Sequence, residues 1–231
     1  MKALSYTSET GKSYALVGRS GSGKSTLVNL IGRFFDADSG NIYIEGQNIK
    51  TMSEDDIFDK VCIVFQKQQL AKDSIFENVH MYDRSKGEND VIRALEKANA
   101  MDIVNNLDQG IYKIYGPEGT YFSGREIQRI SLARAFLKDS PILLLDEAMA
   151  FVDADNEMEI LEAINRLKEN KTTIMILHRL NSAKSFDEII MMEDGRIIGS
   201  GPHDQLISAC QEYRKLYEEY QQTVKWRVRN A

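Results

Sequence analysis

The stretch YALVGRSGSGKSTLVNLIGRFF, residues 14–35, restricts the fold of this chain more than any other. An apolar run ends at Gly18, a loop of glycines and serines follows, and Leu27, Leu30, Ile31 and Phe34 then recur at helical spacing. Strand, loop and helix in that order put the loop at the carboxyl end of a buried strand. Within it GRSGSGKS, residues 18–25, fits the pattern G-x-x-x-x-G-K-[ST]. Gly18, Gly21 and Gly23 let backbone N–H groups curl around phosphate oxygens, with Ser20 and Ser22 between them and Thr26 just behind. The helix start adds the positive end of its dipole, Lys24 reaches the β and γ phosphates, and Ser25 is placed to ligate magnesium. The loop specifies a nucleoside triphosphate. It does not separate an ATPase, a GTPase and a small-molecule kinase.

The rest of the chain supplies the sheet that such a loop needs. VCIVF (61–65), PILLLD (141–146) and TTIMILH (172–178) are apolar strand candidates that alternate with helical patterns, which predicts a parallel sheet covered on both faces. IYIEG (42–46) alternates as a half-buried antiparallel strand does, and EIIMMEDGRIIGSG folds back around Asp194 and Gly195 as a hairpin. From about residue 74 to 140 the periodicity is helical and interrupted by the loop QGIYKIYGPEGTY. A later helix has Asp155 as its N-cap, and a last one runs through LISACQEYRKLYEEYQQ, where Tyr213, Leu216, Tyr217 and Tyr220 form a packing stripe.

Composition narrows the partners. A formal charge of −6 argues against duplex nucleic acid, whose affinity rests on Lys and Arg at phosphates. Cys62 and Cys210 lie far apart without metal-ligand spacing, so they are expected to be reduced thiols. No apolar run is long enough to span a bilayer, and MKALSYTSETGK lacks the apolar stretch of a signal peptide. The basic end KWRVRN, with Trp226, is expected to be a solvated tail.

Ligands of open α/β sheets gather at the carboxyl ends of strands. There ILLLDEA places Asp146 and Glu147, VCIVF is followed by Gln66, and TTIMIL is followed by His178. Asp146 is suited to hold magnesium and Glu147 to take a proton from an attacking water. Taken singly, Gln66 and His178 each read as a polar strand end rather than a catalytic group. Four strand ends presenting Gly, Gln, Asp-Glu and His to one edge form a constellation.

Taken in order, GRSGSGKST, VFQ, FSGRE, ILLLDEA, FVD and ILHRL resemble the phosphate loop, glutamine loop, signature, acidic strand, D-loop and switch histidine of the ATP-binding cassette (ABC) family. The resemblance covers nearly the whole chain. DSIFENV and GRIIGSGPHDQLI bring it near the nucleotide-binding domains of exporters, and LLLDEAMAFVDADNE points toward siderophore-handling ones. It implies a P-loop NTPase (RecA-like) α/β fold: a mainly parallel sheet with an inserted helical subdomain and an incomplete N-terminal antiparallel β-subdomain. Residues 1–231 would be one domain, with a core at about 1–82 and 141–231 and the helical subdomain at about 83–140. The implied ligands are ATP and Mg²⁺, and the implied activity is ATP hydrolysis that drives export. Glu147, His178, Lys24 and Gln66 would be catalytic, and Ser25, Gln66 and Asp146 would surround the metal. Ser123 and Gly124 would complete the nucleotide site of a second such domain, and Asp153 would link the two sites. The implied partners are that second domain, in a homo- or heterodimer, and a transmembrane domain, with no nucleic acid, at the cytoplasmic face of the cell membrane.

Two departures from the family pattern carry consequences. Position 125 is Arg where the signature has glycine, so its guanidinium could clamp phosphate or block closure. A damaged signature beside Glu147 and His178 fits one half of a heterodimer, or a partner domain that binds ATP without hydrolysing it. The second departure is at the front, where the family's adenine-stacking aromatic belongs to a strand that would precede residue 1. Tyr6 and Tyr14 could substitute, although their positions match packing residues of the following strands. Weak ATP binding and a chain cut from a longer membrane protein are the expectations.

Overall fold

The computed structural model describes residues 4–117, 119–146 and 157–230. Strand β1 (Ser13–Val17) leads into helix α1 (Lys24–Ile31), followed by the short strands β2 (Tyr43–Ile44) and β3 (Gln47–Asn48), helix α2 (Glu54–Lys60) and β4 (Val61–Val64). Helices α3 (Ile75–His80), α4 (Glu88–Lys97), α5 (Met101–Asn105) and α6 (Gly124–Lys138) come next, before β5 (Ile142–Asp146). Helix α7 (Glu157–Lys168), β6 (Thr172–Ile176), β7 (Glu188–Glu193), β8 (Arg196–Gly201), α8 (His203–Ala209) and α9 (Gln211–Asn230) complete the order.

The main sheet runs β4-β5-β6-β1-β7-β8. All its neighbours are parallel except the β7–β8 hairpin at the edge. The period-two geometry of a strand explains why the sequence runs are uniformly apolar. Ala15 and Val17 of β1, Leu143 and Leu145 of β5, and Ile189 and Met191 of β7 face one hydrophobic layer with α4, α6 and α7. Tyr14, Leu16, Leu144, Ile190 and Met192 face the other, with Val28 of α1 and Ile57 of α2. Both sides of every central strand are therefore buried, and the ligand-accessible ground is left to the strand ends.

Several sequence boundaries shift, and the strand expected over 172–178 stops at Ile176. The strand expected at 61–65 stops at Val64, because Phe65 turns out of the sheet and meets Phe34 edge-on at 5.4 Å. The strand expected over 42–46 is reduced to Tyr43–Ile44, because Glu45 (φ 51°) and Gly46 (φ 80°) make the turn into β3. The single helix expected near the end is two, broken at Cys210, whose backbone is extended. Asp194 (φ 48°) and Gly195 (φ 77°) make the expected β7–β8 turn with both residues left-handed. Asp155 lies outside the described residues.

Tyr14 is not available to stack on a base. It is 1% exposed, its hydroxyl accepts from the Glu9 N–H at 2.6 Å, and Tyr6 packs against it edge-on at 6.0 Å. Both cysteines are buried, and burial pushes the Cys62 thiol up from its ordinary value. Among the described residues no helix is long and apolar enough to cross a membrane.

Candidate nucleotide-binding site

The parallel strands deliver the expected residues to one sheet edge. Gly18 follows β1, Asp146 closes β5, Gln66 lies two residues beyond β4, and His178 lies two residues beyond β6. Gln66 and His178 are exposed there. Glu147 and Asp153 lie outside the described residues.

The loop from Gly18 to Gly23 is shaped by its glycines. Gly18 has φ 152°, and a Cβ on it would sit 2.2 Å from the Met192 carbonyl oxygen, so β7 approaches the loop too closely for any side chain. Gly23 caps α1 in the left-handed region at φ 101°, which turns the chain sharply into the helix. Gly21, at φ 79°, has nothing within 4 Å of a would-be Cβ and marks the open mouth of the cradle. The loop is braced from outside, because the Gly195 N–H of the β7–β8 turn donates to the Ser22 carbonyl at 3.0 Å. No spacing or composition signal links residues 22 and 195, so sequence reasoning missed this brace.

Lys24 is buried at 6% exposure, and its Nζ donates to the Gly18 and Arg19 carbonyls at 2.9 Å each and toward Ser22 Oγ at 3.3 Å. A buried ammonium is costly unless hydrogen-bonded, and here the loop's own carbonyls hold it inside the ring of the cradle. Ser25, at the next position, is exposed with its hydroxyl 3.4 Å from Asp146 Oδ1. A hydroxyl and a carboxylate converging beside a cation-lined loop are hard oxygen donors of the type Mg²⁺ takes when phosphates supply other ligands. Ser20, Gly21 and Thr26 are exposed beside them, and Ser22 is buried.

The start of α6 is organised differently. Ser123 caps it: the Glu126 N–H donates to Ser123 Oγ at 3.4 Å, and the Ser123 N–H donates to Glu126 Oε2 at 2.7 Å. Ser123 and Gly124 are exposed, and a Cβ on Gly124 would meet nothing within 4 Å, so this helix end is open to an approaching surface. Arg125 is half-buried. Behind it, Arg129 donates to Asp102 of α5 at 2.9 and 3.0 Å, to the Asn99 carbonyl at 2.6 Å and to Glu159 of α7 at 3.1 Å. Arg134, whose pKa is lowered by burial, donates to the Gln69 carbonyl at 3.0 Å and to Asn78 Oδ1 at 2.8 Å. The helix carrying Ser123 is thus tied to the segment after Gln66 and to α7.

A sequence profile of the ABC transporter family matches residues 1–150. The chain belongs to the ABC transporter family. It is 40% identical over 217 residues to the ATP-dependent lipid A-core flippase of Methylobacillus flagellatus, covering 94% of this chain and 37% of that protein. It is also 40% identical over 219 residues to the mitochondrial ABC transporter B family member 24 of Arabidopsis thaliana, covering 95% of this chain and 32% of the relative. Among solved structures it resembles that of a bacterial Atm1-family ABC exporter with ATP bound, at TM-score 0.86 and 33% identity, over 94% of this chain and 38% of that one. The chain spans about a third of the length of these relatives. Its fold is the P-loop NTPase fold of an ABC nucleotide-binding domain. None of these three is a siderophore exporter by name.

Proposed function

We propose that this ABC-family chain is the ATP-binding and ATP-hydrolysing motor domain of an exporter, working at the cytoplasmic face of a membrane with a second nucleotide-binding domain and a transmembrane partner. The observation that carries it is the convergence of Lys24, Ser25 and Asp146, from two separate strand ends, on one glycine cradle. The ATP in the related Atm1-family structure and the ATP-dependent flippases among the relatives support the same reading.

Backbone N–H groups from Gly21 to Ser25 and the Lys24 ammonium would grip the β and γ phosphates. Ser25 and Asp146 would hold Mg²⁺, which when bound offsets phosphate charge. Gln66 and His178, at neighbouring strand ends, would contact the metal's water shell and the γ-phosphate. Glu147, next after Asp146 in the sequence, would accept the proton of the attacking water. Across the seam, the open α6 start of a second domain would present Ser123 Oγ and the Gly124 N–H to the same γ-phosphate, and Asp153 would join the two sites. Closing that seam is the step that would be passed to the transmembrane partner.

Phosphate release from ATP and Mg²⁺ is the test. A rate per chain that rises with chain concentration is expected, because the site is shared between two copies. Absence of ATP binding by the chain, or hydrolysis unchanged in Lys24→Ala, would overturn the proposal.

A further inference from the structure

Helix α9 is anchored by a stripe: Tyr213 is fully buried, and Leu216, Tyr217 and Tyr220 pack against the same hydrophobic layer. At about 100° per residue, Glu219 and Gln221 fall on opposite shoulders of that stripe. Each shoulder reaches a different loop at the nucleotide edge. Glu219 accepts from Arg19 Nη2 at 2.6 and 2.9 Å, and Arg19 is the second residue of the phosphate loop. Gln221 Nε2 donates to Asn181 Oδ1 at 2.6 Å, three residues beyond His178, and in the same segment the Lys184 ammonium lies 5.5 Å from the Tyr217 ring. The position of α9 is therefore fixed from both sides and from beneath.

The consequence falls on Arg19. Its backbone carbonyl is one of the two that hold Lys24, so the residue is part of the cradle itself, and its side chain is exposed beside it. A free guanidinium there would turn toward a triphosphate, since guanidinium and phosphate form paired charge-assisted hydrogen bonds. We propose that Glu219 is a positioning residue for the nucleotide site: by pairing with Arg19 it holds that guanidinium off the phosphates and so weakens ATP binding. This rests on the nucleotide-binding reading given above and assigns the C-terminal helix a part in it.

The test is the affinity of the 231-residue chain for ATP with Mg²⁺, with adenosine as the probe that lacks phosphates. Glu219→Gln is expected to tighten ATP about 2- to 5-fold, the size an exposed ion pair supports, and to leave adenosine unchanged. In an Arg19→Gln background the same substitution is expected to do nothing. Rising salt should shrink the Glu219→Gln gain, because salt screens the attraction between the released guanidinium and the phosphates. An unchanged ATP affinity in Glu219→Gln, or a gain that persists without Arg19 or extends to adenosine, overturns the role of Glu219 while the nucleotide site stands. If the parent chain binds no ATP, both fall.

Discussion

Ser25 Oγ, on the first turn of α1, lies 3.4 Å from Asp146 Oδ1 at the end of β5, although 121 residues separate them in sequence. The strand order creates that meeting: β6 alone lies between β1 and β5, so their carboxyl ends open on one shallow edge. Asp146→Asn keeps the shape and removes the charge. The expected result is ATP binding that needs about tenfold more Mg²⁺, with the fold unchanged. A titration of ATP affinity against Mg²⁺ checks it, and an identical Mg²⁺ requirement would remove Asp146 from the metal site.

Lys24 is the second target. Its Nζ donates to the Gly18 and Arg19 carbonyls and toward Ser22 Oγ, all within the loop, so Lys24→Ala costs the cradle both its cation and an inner brace. Phosphate release is expected to fall at least about 100-fold, the scale of losing one preorganised electrostatic donor. The thermal midpoint, which should rise in the parent chain when ATP is added, is expected to stay flat in the variant.

Glu147→Gln separates binding from chemistry. If Glu147 is the general base proposed above, turnover is expected to drop about 10²- to 10⁴-fold while ATP affinity is retained, because such a base acts only in the proton-transfer step. Single-turnover measurements with saturating ATP give the answer, and undiminished hydrolysis removes Glu147 from the mechanism.

Much of this site was legible in the sequence because its residues sit where strand ends must deliver them. Gly18, Gln66, Asp146 and His178 each follow an apolar run, and the sheet places all four at its carboxyl edge. What stayed hidden are links between loops remote in sequence. Ser22 is braced by Gly195, and Arg19 is paired with Glu219 200 positions away in the chain, contacts that no periodicity encodes. Tyr14 was ambiguous for a different reason: an aromatic in a strand packs or stacks with the same local pattern, and only the second hydrophobic layer decides for packing. The short β2 and the early end of β4 reflect turns made by Glu45, Gly46 and Phe65, where left-handed backbone and ring packing outweigh strand propensity.

Gly18→Ala tests the closeness of β7 to the cradle. With the Met192 oxygen 2.2 Å from the new methyl group, either the loop or the β7–β8 hairpin has to move. A loss of about 2–4 kcal/mol in urea unfolding is expected, together with weaker ATP binding, because the loop is the part displaced. Full stability in the variant would show that the hairpin yields freely.

Arg129 links three helices with a side chain only 11% exposed, whereas the side chains of its partners Asp102 and Glu159 are more than half exposed. Its contribution therefore comes from filling backbone and carboxylate acceptors in a half-buried joint rather than from a free surface ion pair. Arg129→Leu preserves much of the aliphatic stem and deletes the donors. The expected cost is about 2 kcal/mol in equilibrium unfolding, and Asp102→Ala and Glu159→Ala should each cost less than half of that, because their vacated sites admit water. Since Arg129 sits on the helix that begins at Ser123, its loss should also loosen the α6 start, seen as faster amide exchange at Glu126 and Ile127, whose N–H groups donate to Ser123. Unchanged exchange at those two amides alongside the stability loss would confine Arg129 to packing and detach it from the geometry of the helix start.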